Sequence, residues 1–334
     1  MQPLSDIISV IVCTYNQEST IGRTLDSILA QQCSLPLEIV VGEDHSTDGT
    51  LAVCRAYEQR HPGVVRILRG EQNKGFVRNY FDCLRACRGK YVADCSGDDF
   101  WTDTTKLEQE LHILYNGARV GLVHTDWMRY CEETGQMTSP GPARCAEPCV
   151  SGQLLLTDIL TPGERPAVHL CTSMYRNDWV REAMQRYPQF FDPERYRCED
   201  VQITFLLAMM GDIAYIDTPT LAYGWGAASE SNPASEAKQF RFWQNMTQLS
   251  FDLAQTFGIS NAQLDRFFDA RILKLYYHAF LSHEKNLCRE ARAMQTQLGR
   301  EHTPWTLAAR CIMQPGLWQL ALGLRKLKKA LWQH

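Results

Sequence analysis

At 334 residues the chain is long enough for one large α/β domain with an extension, or for two modest domains, and its formal net charge of -4 offers no basic field to recruit nucleic acid. A hydrophobic share of 45% and a charged share of 22% are those of an ordinary globular protein, with no run of about eighteen apolar residues to cross a membrane. Asp6 interrupts any apolar leader, so no secretory signal is expected, and the thirteen scattered cysteines, without a C-x-x-C pair, read as reduced thiols of a cytosolic protein.

In chain order, ISVIVCTYN (8–16) is a continuous apolar run ending in small polar residues, the pattern of a parallel strand buried on both faces. STIGRTLDSILAQQ (19–32) follows with Ile21, Leu25, Ile28 and Leu29 at helical spacing and Ser19 or Thr20 as N-cap. LEIVVGED (37–44), VVRILRG (64–70) and KYVADCSG (90–97) read as three more strands. Between them lie a helix opened by Thr47 or Asp48 and a helix FVRNYFDCLRAC (76–87). Strands alternating with helices predict a parallel, doubly wound sheet, with functional residues at the carboxyl ends of its strands. Thr14–Tyr15–Asn16, Glu43–Asp44 and Asp98–Asp99 all fall on that rim.

Beyond Asp103 the pattern gives a helix through Leu107, Leu111 and Leu114, a strand at 121–130 and a loop at 131–152. A strand at 169–176, an apolar helix at 198–211 and a strand at 213–225 follow. From Ser235 the chain turns helical, through 262–283 and 286–298, and ends in GLWQLALGLRKLKKALWQ (316–333). That basic amphipathic segment suits an anionic membrane surface and equally suits packing on the preceding helices. The domains are therefore expected at 1–230 and 235–334.

SVIVCTYN, IVVGEDHSTDGT, NKGFVRNY, GKYVADCSGDDFWTD and CEDVQITFLL, in that order and spacing, resemble the inverting nucleotide-sugar glycosyltransferases of family 2 over about residues 7–230. The resemblance implies a GT-A fold: an α/β, Rossmann-like, mixed and mostly parallel sheet flanked by helices, here with a C-terminal helical extension. It implies transfer of a hexose or N-acetylhexosamine from a UDP-sugar to a hydroxyl of a saccharide or lipid-linked acceptor, in cell-surface polysaccharide or glycolipid assembly. Asp44 would accept from the uracil N3–H, with Thr14, Tyr15 and Asn16 beside the base. Lys74, Gly75 and Arg78 would lie near the nucleotide, where a cation or a close backbone approach is useful.

In the D-x-D region, Ser96, Gly97 and Asp98 would face the donor. Asp98, with Asp99 in support or facing the sugar, would hold Mn²⁺ or Mg²⁺, hard cations that bridge diphosphate oxygens. Asp200 would be the general base and Glu199 would orient the acceptor or the base. Each motif also has a plain structural use: Asp48 as a helix cap, Glu199 and Asp200 as first-turn acids favoured by the helix dipole, Trp101 as core, His124 and Asp126 as packed or capping residues.

Two departures stand out. Ser96 occupies a commonly acidic position, and YGWGAASES (223–231) has Gly224 and Gly226 where relatives carry Arg or His, leaving Trp225 to pack against sugar or acceptor. They keep open a second reading, a catalytically degenerate nucleotide-sugar-binding partner subunit. A cytoplasmic protein is expected, with 316–333 as its means of lying on the inner membrane face. Oligomeric state is open.

Overall fold

The computed structural model describes residues 3–143, 147–163, 165–225, 235–300 and 317. The chain divides into two compact units, Met1–Gly226 and Ala227–His334. In the first, β1 (Ser5–Thr14), β2 (Leu37–Glu43), β3 (Val65–Arg69) and β4 (Gly89–Asp94) alternate with α1 (Ile21–Leu29), α2 (Thr50–Arg60) and α3 (Phe76–Ala86). β1 lies between β2 and β4 and is parallel to both, with β3 parallel to β2. Val10, Ile11 and Val12 on β1 are buried on both faces of the sheet, and Ile21, Leu25 and Ile28 turn one stripe of α1 onto it. Each such side chain contributes roughly 1.5–3 kcal/mol of burial.

The unit continues with β5 (Phe100–Trp101), α4 (Lys106–Asn116), β6 (Val120–Cys131), β7 (Met137–Thr138), β8 (Cys149–Ser151), α5 (Leu156–Leu160), β9 (Ser173–Arg176), α6 (Asn177–Arg186), α7 (Asp200–Met210) and β10 (Asp212–Trp225). The sheet order is β3-β2-β1-β4-β9-β6-β10-β5, with β7 on β6 and β8 on β10. β9 is antiparallel to β4 and to β6, and β10 is parallel to β6. β1, β2, β3, β4, β6 and β10 therefore end on one rim, and β9 begins there.

The sequence pattern differs from the structure at three places. The expected loop 131–152 contains β7 and β8, two short edge pairings that carry no periodic signal. The expected strand 169–176 opens as a 3-10 turn, Leu170–Thr172, because the hydroxyls of Thr172 and Ser173 both donate to the His169 carbonyl, at 2.7 and 3.0 Å. At α1, Thr20 is the N-cap residue but makes no capping bond; its hydroxyl donates instead to the Gly97 carbonyl, at 2.8 Å.

The second unit carries α8 (Glu236–Thr256), α9 (Ala262–Ser282) and α10 (Lys285–Gln297). Ser235 and Asn261 cap α8 and α9 through their side-chain oxygens. Leu249, Leu253, Ile272, Leu275 and Ala291 are fully buried in this unit, where the Tyr276 hydroxyl donates to Gln295 Oε1 at 2.7 Å. The amphipathic segment 316–333 falls, Leu317 aside, outside the described residues. No helix of the described residues is long and apolar enough to cross a membrane.

Candidate active site

Asp44 follows β2 and is nearly sealed from solvent. Its Oδ1 accepts from the Lys74 N–H and its Oδ2 from the Gly75 N–H, both at 2.9 Å, while the Asn73 amide donates to its carbonyl at 3.0 Å. Gly75 sits at φ 83, a conformation that glycine adopts freely, and so can turn its N–H back to this carboxylate before α3 starts. The Asp44 N–H donates in turn to the Thr14 carbonyl at 3.0 Å. Asn16, at φ 52, accepts from the Thr47 N–H at 2.8 Å and donates its own N–H to Ser46 Oγ at 3.0 Å. The loops after β1, β2 and β3 are thus stitched together, and Tyr15 stands 45% exposed among the stitches.

The two cations expected beside a nucleotide are engaged in ion pairs. Lys74 meets Asp82 at 2.6 Å, and Arg78 pairs with Glu194. Asp48 accepts the N–H and hydroxyl of Thr50 just ahead of α2, whose N-cap residue is Gly49.

After β4 the chain runs close beneath the first loop. A side chain on Gly97 would press into Gln17 and Thr14, at 2.4 and 2.9 Å, so only glycine lets these loops meet. Ser96 Oγ lies 3.4 Å from the Cys171 Sγ. Asp98 is partly exposed; burial raises its carboxyl pKa, the Glu132 charge adds to this, and Gln17 and Arg23 oppose it. Asp99 is fully buried and accepts the Gly224 N–H at 2.8 Å. Burial and then the Asp98 charge push Asp99 well above the usual carboxylate range.

One glycine of the 223–231 departure finds its reason in this pairing. A side chain on Gly224 would reach within 3.0 Å of the Asp98 carbonyl, so the glycine allows β10 to close on the loop. Gly226 and the side chain of Trp225 lie outside the described residues.

Arg23, which the sequence reading missed, ties this loop to α1. It donates to the Asp98 carbonyl at 3.2 Å, pairs with Glu132 at 2.5 Å, and lies 4.2 and 4.9 Å over the Phe100 and Tyr130 rings. Only its position on the polar side of α1 could have hinted at it.

Glu199 and Asp200 open α7, where the helix N-terminus favours negative charge. Asp200 Oδ1 accepts the Val201 N–H and the Cys198 thiol, both at 2.7 Å. Burial raises the Glu199 pKa well above the usual range, and the charges of Asp200 and Asp94 act in the same direction. Asp94, at the end of β4, is buried with both carboxyl oxygens unpartnered, although the Tyr80 and Tyr175 hydroxyls face it; burial raises its pKa to about 7.

On the far side of the rim, Arg165 is nearly buried, pairing with Asp126 and donating to the Gly141 carbonyl. Burial, with Arg165 contributing, lowers the His124 pKa to about 3 and the His169 pKa to about 4, the Asp200 charge partly opposing the latter. His124 packs on Tyr215 with ring centroids 5.0 Å apart, the packed role rather than a ligand role. Trp101 is likewise core, with the Lys106 ammonium 4.7 Å over its ring. His169, Trp127 and Tyr223 close a triangle of rings with centroids 5.1, 5.1 and 5.3 Å apart.

Among the described residues, no three His, Cys, Asp or Glu side chains are grouped to hold a metal ion by themselves. Asp98 is a carboxylate at the surface of the site, whereas Asp99 is sealed and bonded to Gly224. This donor set fits a hard divalent cation only where substrate phosphates complete its shell, as is usual for Mg²⁺.

A family model described as Glycosyl transferase family 2 matches residues 9–183, just over half of the chain. An uncharacterized protein of Mycobacterium tuberculosis is 38% identical over 107 residues, 32% of this chain and 31% of its own length. The putative glycosyltransferase EpsE of Bacillus subtilis is 29% identical over 125 residues, covering 37% and 44%. The Escherichia coli UDP-Glc:alpha-D-GlcNAc-diphosphoundecaprenol beta-1,3-glucosyltransferase WfaP is 28% identical over 109 residues, covering 33% and 41%. The chain thus spans between 31% and 44% of the length of these curated relatives.

Among solved structures, Staphylococcus aureus TarS 1–349 in complex with UDP-GlcNAc superposes with a TM-score of 0.55 at 17% identity, over 88% of this chain and 89% of TarS 1–349. The mannosyltransferase PcManGT from Pyrobaculum calidifontis, in complex with GDP-Man and Mn²⁺, gives 0.50 at 19% identity, over 97% and 89%. These likenesses establish the fold. With the GT-A-like sheet and the matched motif region in agreement, the chain belongs to glycosyl transferase family 2.

Proposed function

We propose that the protein is an inverting glycosyltransferase that moves a hexose or N-acetylhexosamine from a UDP-sugar to a hydroxyl group, working in the cytoplasm on acceptors of polysaccharide or glycolipid assembly. The observation that carries this reading is the division between the two acids at the start of α7. Glu199 is pushed toward its protonated form, while Asp200 acts on it as the negative charge and keeps Oδ2 without a protein partner among the described residues. Two neighbouring carboxyls, one pushed toward its protonated form by burial and one fixed at the helix start by a backbone N–H, suit distinct roles in proton handling.

In the proposed reaction, the acceptor oxygen attacks the anomeric carbon as the bond from that carbon to the diphosphate oxygen breaks. The bonding pair leaves on UDP, and the acceptor proton passes to Asp200. An α-linked donor then gives a β-linked product. Glu199, protonated, donates a hydrogen bond that orients the acceptor or Asp200. Mn²⁺ or Mg²⁺, when bound, offsets the charge growing on the diphosphate. Asp98 would hold it, with Asp99, fixed by the Gly224 N–H, in support.

Asp44, fixed by two backbone N–H groups, keeps further lone pairs to accept from a base, and its immobility favours selection. A carboxylate accepts from uracil N3–H and from guanine alike, so the nucleotide itself needs the test. WfaP and TarS are named with UDP-sugars and PcManGT with GDP-Man.

The test is a thermal-shift titration with UDP and with GDP, each with and without Mn²⁺, on the wild type and on Asp98→Ala. A ligand selective for the folded state raises apparent stability by mass action. UDP with Mn²⁺ is expected to stabilise the wild type, to do so much less for the variant, and to exceed GDP. Equal stabilisation without metal and in the variant removes Asp98 from the metal site. UDP binding without any turnover of UDP-sugars moves the degenerate partner ahead, a reading favoured by the ion pairs that engage Lys74 and Arg78.

A further inference from the structure

We infer that His169, backed by Trp127 and Tyr223, binds the saccharide acceptor, so that the β9–β6–β10 side of the rim recognises the group that receives the sugar. The inference rests on the glycosyltransferase reading and names the substrate class for its open side.

Position comes first. Along the sheet order, Asp44 marks the β2 end, Asp98 follows β4, and His169 leads into β9, immediately beyond β4. With the nucleotide on the β1–β2–β3 side and the diphosphate at Asp98, the group attacking the donor sugar must approach from the β9–β6–β10 side. Cys171, two residues further on, sets its Sγ 3.4 Å from Ser96 Oγ, which places the His169 segment against the loop that carries Asp98.

The chemistry of the ring comes second. His169 is only partly buried, but its Nδ1 is sealed from solvent and unpartnered, which leaves Nε2 as the nitrogen at the exposed edge. A buried N–H without a partner is rarer than a bare lone pair, so the proton belongs on Nε2 and Nδ1 stays an empty acceptor. The ring is therefore a neutral donor aimed outward.

Its mounting is rigid. Trp127 and Tyr223 flank it, and its carbonyl takes two hydroxyl bonds. A neutral donor set in aromatic walls suits a sugar hydroxyl beside apolar C–H groups. It does not suit a phosphate, which would call for a free cation.

The experiment uses the full chain with UDP-glucose and UDP-N-acetylglucosamine as donors. The acceptors are p-nitrophenyl glycosides of glucose, galactose, mannose and N-acetylglucosamine, and UDP release and glycoside products are both followed. The wild type is expected to glycosylate at least one of them. On that glycoside, His169→Gln is expected to raise the acceptor KM about fivefold or more, with kcat changed less than about threefold. Trp127→Phe should act in the same direction but less, and the UDP-induced melting shift of each variant reports that its nucleotide side is folded.

A fall in kcat with KM unchanged overturns the inference, because His169 would then act through Asp200. Donor turnover onto water or glycerol phosphate, with no glycoside accepted, overturns the saccharide class. Absence of any UDP binding or donor turnover by the wild type overturns the glycosyltransferase reading itself, a failure distinguishable from both.

Discussion

Asp44 and Arg165 are both nearly sealed from water, one on each half of the rim, yet they are held by different means. Asp44 is held by the backbone N–H groups of Lys74 and Gly75, contributed by the next loop of a regular strand–helix alternation. Arg165 is held by the Asp126 carboxylate on β6 and the Gly141 carbonyl, from two other parts of a segment without regular alternation. The half proposed for the nucleotide is thus a product of loop geometry repeated along a parallel sheet. The opposite half is a product of long-range side-chain pairing, and such pairs are the more vulnerable to single substitutions.

The sharpest way to break the comparison is at Arg165. Arg165→Met leaves Asp126 with an uncompensated charge in a low-dielectric site and is expected to cost about 3 kcal/mol in urea unfolding. The double variant Arg165→Met with Asp126→Asn should recover part of that loss, because no charge is then stranded. If the single variant unfolds like the wild type, the two halves do not differ in the way described.

On the nucleotide half, Asp44→Asn turns an amide hydrogen toward a backbone N–H and forfeits a charged, buried bond. About 1.5–3 kcal/mol of UDP affinity should be lost, read by calorimetry with UDP and Mn²⁺, while the sheet stays intact by circular dichroism.

Asp94 probes the ground beneath both halves. Its folded pKa of about 7 lies above the ordinary value of 3.8, so between these values the native state holds a proton that the unfolded chain lacks. Stability from this group is complete below the unfolded pKa and is lost as pH rises to about 7. His124 and His169, lowered to about 3 and about 4, work in the opposite direction: their contribution is lost as pH falls from about 6.5. Comparing Asp94→Asn with the wild type cancels the histidines, and the variant's advantage should grow between pH 4 and pH 7 by roughly 3 kcal/mol. A difference that is flat with pH removes the buried proton.

The smallest stability effect belongs to Arg78→Ala. Its partner Glu194 is exposed, and such surface pairs contribute about 0–1 kcal/mol. Stability should hardly move, so any drop in UDP affinity measured by the same calorimetry assigns the guanidinium to the nucleotide.

How far the sequence could be read follows the same division. β1 to β4 and their helices were legible because buried parallel strands are continuous apolar runs, and the rim followed from the topology such runs impose. Asp98 and Asp99 were legible as a pair, but their different surroundings were not: only the approach of Gly224 shows Asp99 spent on β10 while Asp98 stays at the surface. β7 and β8 are too short to leave a period, and the turn at Leu170–Thr172 replaced strand with hydroxyl bonds to one carbonyl. Arg23 and His169 carried no signal, because neither belongs to a motif and each acquires its role from residues far along the chain.

By itself the sequence determined the alternation of strands and helices, the shared rim and the acids that stand on it, since local periodicity and turn chemistry act between near neighbours. The tertiary structure decided which of those acids is sealed and pushed toward its protonated form and which faces solvent. It also packed the imidazole of His169 against Trp127 and Tyr223. Burial and the charge of distant residues set these properties, and both exist only once β9, β6 and β10 have closed against β4.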